Sequence, residues 1–270
     1  MSYTGARRVV VPDSVEKIGD AFNGNNGLYS ITLGAGVKDF EPGNFSNMYE
    51  LQEFIVSAEN PYICSVDGVV FTKDMSTILR FPTNWKYGPH YAIPDGVKII
   101  AERAFLQPWT LDMLYIPDSV TVIEEHAISI SDELSYIHFG NGIETIPSNA
   151  VTSCSWLTDV YIGSGVKTIE KDAFWGCARL SGVFIPENVT TLYEMSFPDD
   201  YVDYTLKLIC GYKGTYAETF AETTEGYSFR VEDRPTKEYA ILVEHKTFPP
   251  FYEEPLTFFQ YQEDQLTKNN

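Results

Sequence analysis

The chain has 270 residues, 44% of them apolar, and carries 38 acidic against 19 basic residues, a formal charge of −19. Length and apolar share suffice for a sizeable core. The charge argues against nucleic acid and anionic membrane surfaces, which are held through Lys and Arg, and no apolar run approaches the roughly 20 residues of a membrane span.

Residues 1–8 show no signal-peptide pattern and lead straight into Val9-Val10-Val11. Two readings stay open: a cytoplasmic protein, or a chain that has lost a leader and further domains. The start in mid-pattern favours the second. The first block reads Val11-Pro12-Asp13-Ser14-Val15…Ile18…Ala21-Phe22…Leu28…Ile31-Thr32-Leu33. The second reads Gly34-Ala35-Gly36-Val37…Phe40…Phe45…Leu51…Phe54-Ile55-Val56. Then the period breaks. Asn60-Pro61-Tyr62 leads into Val66-Asp67-Gly68-Val69-Val70-Phe71 and Lys73-Asp74. Turn signals between β-rich runs predict a hairpin-bearing variant repeat over about 57–92.

From 94 to 197 the repeat is unbroken. The positions of Val97, Val120, Ile143, Val166 and Val189 rise by 23 each time. The same step separates Ala104, Ala127, Ala150 and Ala173, and again Leu111, Leu134, Leu157 and Leu180. A fixed period in the twenties predicts a solenoid. One block has too few apolar residues to close a core, so neighbours must stack. Within a block, Leu111-x-x-Leu114-Tyr115-Ile116 alternates as a short strand and Pro117-Asp118-Ser119 turns. Val120-x-x-Ile123 returns along the core, and 124–128 makes a helical or 3₁₀ turn. Strands of successive blocks then lie parallel, roughly 4.8 Å apart, on one face.

After the last block, Leu206-Lys207-Leu208-Ile209-Cys210-Gly211, a helical stretch at 216–222 and Gly226-Tyr227 predict a C-terminal cap over about 206–230. A cap covers the open core of the last coil. The solenoid therefore takes up 1–230. The remainder, 231–270, is aromatic, acidic and Pro-rich, as in Phe248-Pro249-Pro250-Phe251-Tyr252-Glu253-Glu254-Pro255. Proline predicts an extended segment, and three readings of it stay open: a tail packed on its own solenoid, the start of a further module, or a segment that docks on a partner.

Pro-x-x-Val-x-x-Ile…Ala-Phe…Cys-x-x-Leu at this period resembles the BspA-like leucine-rich repeat family. The match is closest over Gly163-Ser164-Gly165-Val166…Ile169…Ala173-Phe174-Trp175-Gly176-Cys177-Ala178-Arg179-Leu180. Asp67-Gly68-Val69 resembles the family's variant repeat, and Gly211-Tyr212-Lys213-Gly214-Thr215-Tyr216 its C-terminal cap. The resemblance implies parallel strands on a concave face, with turns, 3₁₀ segments and short helices opposite. It implies a bacterial cell-surface or secreted protein that binds a protein or glycan on a host cell, matrix or neighbouring cell. It brings no catalytic residues and no cofactor. The sequence departs from the family in having no leader and in residues 231–270.

The outward strand positions follow from the period. They are Thr32, Ile55, Tyr115, His138, Tyr161 and Phe184, the last four forming one lateral aromatic ladder. Beside it run Glu53, Met113, Tyr136, Asp159 and Gly182. Of these, Ile55, Met113, Tyr115, Tyr136, His138, Asp159, Tyr161 and Phe184 are the candidate partner-binding residues, since solenoids bind on their extended face and exposed aromatics give contact area at low entropic cost. Aromatic stacking that only stabilises the sheet is the alternative.

His138 beside Asp159 suggests a metal site or base, set against an ordinary surface pair, because no third ligand or nucleophile has the right spacing. Cys154 and Cys177, one period apart, read as buried plugs, or as a disulfide or metal pair. Gly163-Ser164-Gly165 reads as an inter-block turn and not a nucleophile elbow. Asn44 and Asn188 head glycosylation sequons whose middle residues are predicted core. The expectation is a non-enzymatic binding or adhesion module with no metal. The alternative is a structural spacer whose tail or open first repeat docks on another chain or domain.

Overall fold

The computed structural model describes residues 7–180, 182–197 and 207–231. The C-terminal tail of the sequence reading lies outside these residues.

The chain coils into a solenoid whose equivalent residues stack. Leu114 aligns with Ile137 and Ile137 with Val160, each pair one period apart and in parallel register. Val97, Val120, Ile143, Val166 and Val189 are all buried to 1% exposure or less. The expected period is thus a physical rise of one strand per coil.

Each regular coil has three sides. The first is a three-residue strand: His90–Ala92, Met113–Tyr115, Tyr136–His138 and Asp159–Tyr161 form one parallel sheet. A second strip is built of pairs such as Ile99–Ile100 beside Val122–Ile123 and Thr145–Ile146 beside Thr168–Ile169. The third holds Phe105–Leu106, Ile128–Ser129 and Val151–Thr152. In the first two coils the corresponding side is a 3₁₀ turn, Asp20–Phe22 and Pro42–Phe45.

The corners of the third side are left-handed residues in two ladders. Arg103, His126, Asn149 and Asp172 have φ between 56° and 59°. Gln107, Ile130, Ser153 and Gly176 follow four residues later, with φ between 54° and 74°. The chain turns sharply before and after each short strand, which lets a single period of chain close a triangular coil.

Gly163-Ser164-Gly165 is a turn between coils. A Cβ at Gly165 would overlap the carbonyl oxygen of Asn141, and one at Gly142 that of Asp118. Glycine is needed here because successive backbones approach too closely for a side chain. Ser164 donates to Asn141 Oδ1 at 3.0 Å and meets no histidine there.

The break in period is filled by an antiparallel insertion, Ile63–Val66, Val69–Thr72 and Thr77–Arg80. Two buried polar side chains seat it. Asn60 donates to the carbonyls of Gly34 and Val37 at 2.9 and 2.8 Å and accepts from the amides of Tyr62 and Ile63. Arg80, fully buried, donates to the carbonyls of Leu106, Phe45 and Arg103 at 2.7, 3.0 and 3.3 Å. The core accordingly falls into two clusters, a smaller one from Val11 to Val70 and a larger one from Val69 to Tyr227.

At the other end, Gly182–Ile185, Lys207–Gly211 and Tyr227–Val231 make a parallel sheet. Helix Tyr216–Thr223 buries Ala217, Phe220 and Ala221. Glu218 accepts from the amide of Gly214 at 2.6 Å, satisfying a donor ahead of the helix start. Tyr227 ties the cap to the last coil through its hydroxyl, which donates to Glu194 O at 2.6 Å.

Candidate functional site on the sheet face

Alternation in a three-residue strand sends the middle side chain inward and its neighbours outward. Tyr91, Leu114, Ile137 and Val160 are the buried middle residues. Two outward rows result. One is Ala92, Tyr115, His138 and Tyr161; the other is His90, Met113, Tyr136 and Asp159.

The first row is a stack. The rings of Tyr115 and His138 lie 4.5 Å apart at 15°, and those of His138 and Tyr161 4.5 Å apart at 4°. That separation is close to the strand spacing of a sheet, so register alone brings the rings into contact. Tyr115 and Tyr161 are half-buried. His138 between them is only 3% exposed. Burial pushes its imidazole down to about 4, against a weaker upward pull from Asp118. His138 is thus neutral at pH 7. Its Nδ1 has no hydrogen-bond partner.

Several sequence expectations change here. Met113, Tyr136 and His138 were expected on an exposed face but are buried. For His138 the reason is the ring on either side; Met113 and Tyr136 likewise have a registered neighbour on each side. The aromatic ladder holds three rings and not four. Phe184 belongs to the C-terminal sheet, where it aligns with Cys210 and meets Tyr212 edge-on at 5.4 Å. Ile55 lies in the N-terminal sheet with Thr32 and Val10, and is 44% exposed.

His138 and Asp159 do not pair. His138 aligns with Tyr161, and Asp159 with Tyr136. Asp159 accepts from Thr158 Oγ1 at 2.6 Å. The contact that forms is His90 Nε2 to Asp112 Oδ2, at 3.8 Å. His90, then Ser135, hold the Asp112 carboxyl below its usual range, against the opposing effect of burial. The Ser135 hydroxyl donates to Asp112 and not to an imidazole, so the trio lacks the base–nucleophile contact of an activated serine. His90 was legible in the sequence: it lies one period before Met113.

A second missed pair is Trp156 and Arg179, again one period apart, with the guanidinium 3.6 Å from the ring centroid. Cys154 and Cys177 are free thiols, fully buried as core plugs. Asn44 is buried, donating to Ile18 O at 2.6 Å, which keeps that sequon from a glycan in the folded state. Among the described residues no group of three His, Cys, Asp or Glu is placed to hold a metal ion.

Among solved structures, the chain is similar to a leucine-rich cell-surface protein of Faecalibacterium prausnitzii, at 24% identity and a TM-score of 0.57, over 71% of this chain and 57% of that one. It is similar to a leucine-rich repeat protein of Eubacterium ventriosum, at 19% identity and a TM-score of 0.53, over 70% and 52%. It is also similar to the pneumococcal vaccine antigen PcpA, at 17% identity and a TM-score of 0.58, over 86% and 69%. The chain spans a little over half of the first two proteins. No curated protein sequence matches. No helix among the described residues is long and apolar enough to cross a membrane. The family model for the BspA type leucine rich repeat region matches residues 2–91 and 89–202 in 6 copies, and the chain belongs to that family.

Proposed function

We propose that the chain is a non-enzymatic protein-interaction module of a bacterial surface or secreted protein, and that it binds through its concave sheet face. One observation carries this reading: Tyr115 and Tyr161 stand in register on the outward row, half-exposed, and are held rigid by the ring between them. Rigid aromatics bury area without losing rotamer freedom, which suits them to interfaces. Family membership supports a protein-binding role, since leucine-rich repeat proteins commonly bind other proteins. A protein or glycan of a host cell, matrix or neighbouring cell is the class of partner. The test is a panel of cell and matrix proteins against Tyr115→Ser/Tyr161→Ser/Phe184→Ser. Loss of binding in a folded variant supports the reading; undiminished binding rejects it.

A second reading has an observation of its own. Arg8–Val11 is an edge strand of the N-terminal sheet among the described residues, and Val10 is 71% exposed. An exposed apolar edge is a template for another strand, which favours assembly with another chain or domain. Val10→Lys would lower the mass in solution if that edge holds a second copy; an unaltered mass counts against self-assembly.

A further inference from the structure

We infer that Asn26 is a site of spontaneous modification in the folded protein, its side-chain amide converting to a carboxyl group through a cyclic imide formed with the main-chain nitrogen of Gly27.

The chain has three Asn-Gly steps, Asn23-Gly24, Asn26-Gly27 and Asn141-Gly142. Glycine has no side chain to shield its main-chain nitrogen, so an asparagine cyclises most readily in front of it. The glycine nitrogen attacks the asparagine Cγ, a C–N bond closes a five-membered ring, and the side-chain nitrogen leaves as ammonia. The proton lost from the glycine N–H passes to it through water. Water then opens the ring at either carbonyl, giving aspartate or isoaspartate. Water is the sole co-reactant.

The fold treats the three steps differently. At Asn23 the nucleophile is engaged: the Gly24 amide donates to Ser46 O at 2.9 Å. The Asn23 Oδ1 also accepts from Asn47 Nδ2 at 3.5 Å. At Asn141 the electrophile is held. Its Nδ2 donates to the two carboxylate oxygens of Asp118 at 3.2 and 3.3 Å, and its Oδ1 accepts from the amide and hydroxyl of Ser164 at 2.9 and 3.0 Å. Turning Cγ towards Gly142 would break these bonds to both neighbouring coils. Asn26 has neither restraint. Asn26 and Gly27 are exposed turn residues, and neither makes a hydrogen bond to another described residue. A Cβ on Gly27 would meet only Asn25 Oδ1, at 4.0 Å, so the space around the turn is open.

The modification would be felt by the first coil. Isoaspartate adds one methylene to the main chain just before Leu28 and Tyr29. Leu28 is 1% exposed in the smaller core cluster. The Tyr29 amide donates to Arg7 O at 3.0 Å, and its carbonyl accepts from Gln52 at 2.8 Å. A longer link ahead of these anchors loosens the hold on the edge strand Arg8–Val11.

The test incubates the full chain at pH 8 and 37 °C and follows each asparagine by peptide mapping. Fragmentation separates Asn23 from Asn26, which share a tryptic peptide. The expected result is a gain of one mass unit at Asn26 at least tenfold faster than at Asn23 or Asn141, with isoaspartate shown by methylation with an isoaspartyl methyltransferase. In urea the three are expected to convert at similar rates, since the dipeptide is the same. Asp118→Ala, which removes two of the bonds at Asn141, is expected to speed conversion there and leave Asn26 unchanged. Equal rates at the three sites in the folded chain overturn the inference. So does an Asn26 that stays intact when folded but converts in urea.

Discussion

The imidazole of His138 lies parallel to the phenol of Tyr161, with 4.5 Å between centroids and 4° between planes. Tyr115 covers its other face at the same distance. A titratable group has been placed where its charged form is poorly solvated, and this has a consequence for pH dependence.

Folded His138 sits at about 4, against 6.5 for the ordinary group. Between these values the unfolded chain binds the extra proton, so stability rises with pH across the window and is lost as pH falls through it. The full difference corresponds to about 3 kcal/mol. His138→Phe keeps a ring in the stack but cannot titrate. Urea denaturation at pH 7 and pH 4 is expected to show the wild-type protein losing about 3 kcal/mol more than the variant. Equal losses would mean that the folded protein protonates His138 without cost. Asp118 and the two tyrosines remain in both proteins and cancel in the comparison.

Ile130 is β-branched, yet it occupies the left-handed region at φ 56° and is 42% exposed. The row it belongs to is otherwise Gln107, Ser153 and Gly176. A left-handed conformation costs an L-residue roughly 1–2 kcal/mol, and Asn tolerates it better. Ile130→Asn is expected to raise the urea midpoint by the equivalent of about 1 kcal/mol without changing the slope. A lower midpoint would show that the isoleucine side chain contributes more by contact than its backbone costs.

Arg80 is a buried cation whose hydrogen bonds go to backbone carbonyls. Burial pushes its guanidinium down to about 9, and its Nε finds no partner. It joins Phe45, in the smaller core cluster, to the backbone of Arg103 and Leu106 beside the larger one. Arg80→Met relieves the buried charge but strands three acceptors, each worth about 1–3 kcal/mol when left unsatisfied. The second effect is the larger. Hydrogen exchange is expected to speed up at Ile31 and Phe54 while Leu114 and Ile137 stay slow. Uniform acceleration would mean the coils unfold as one unit.

Asn60 seats the same insertion with two donated and two accepted bonds to main chain. Asn60→Ala leaves those groups buried and is expected to cost about 3 kcal/mol or more, read from the urea midpoint. Asn60→Asp should do no better, since a carboxylate cannot donate to the carbonyls of Gly34 and Val37. A stable alanine variant would show that the insertion is held by its apolar contacts alone.

The repeat was legible because it is one-dimensional. A side chain's depth follows from its place in the period, so Val120, Ala127 and Leu134 could be placed in the core from spacing alone. Asn60 and Arg80 could not, because their partners are carbonyls brought near by an insertion that breaks the period. Exposure on the sheet face was also hidden. Outward position follows from alternation, but whether His138 is reachable depends on the rings above and below it. The left-handed ladders left no residue signature, since Arg103, His126, Asn149 and Asp172 share a conformation and no chemistry.

The most direct test is photo-crosslinking to a protein retained from the cell and matrix panel. Benzoylphenylalanine would replace Tyr115 or Tyr161 on the sheet face, or Ile130 beyond the short strand Ile128–Ser129 on another side of the coil. The expected result is a covalent adduct from positions 115 and 161 and none from 130. An adduct from 130 alone, in a variant that still binds, would contradict the assignment of the sheet face.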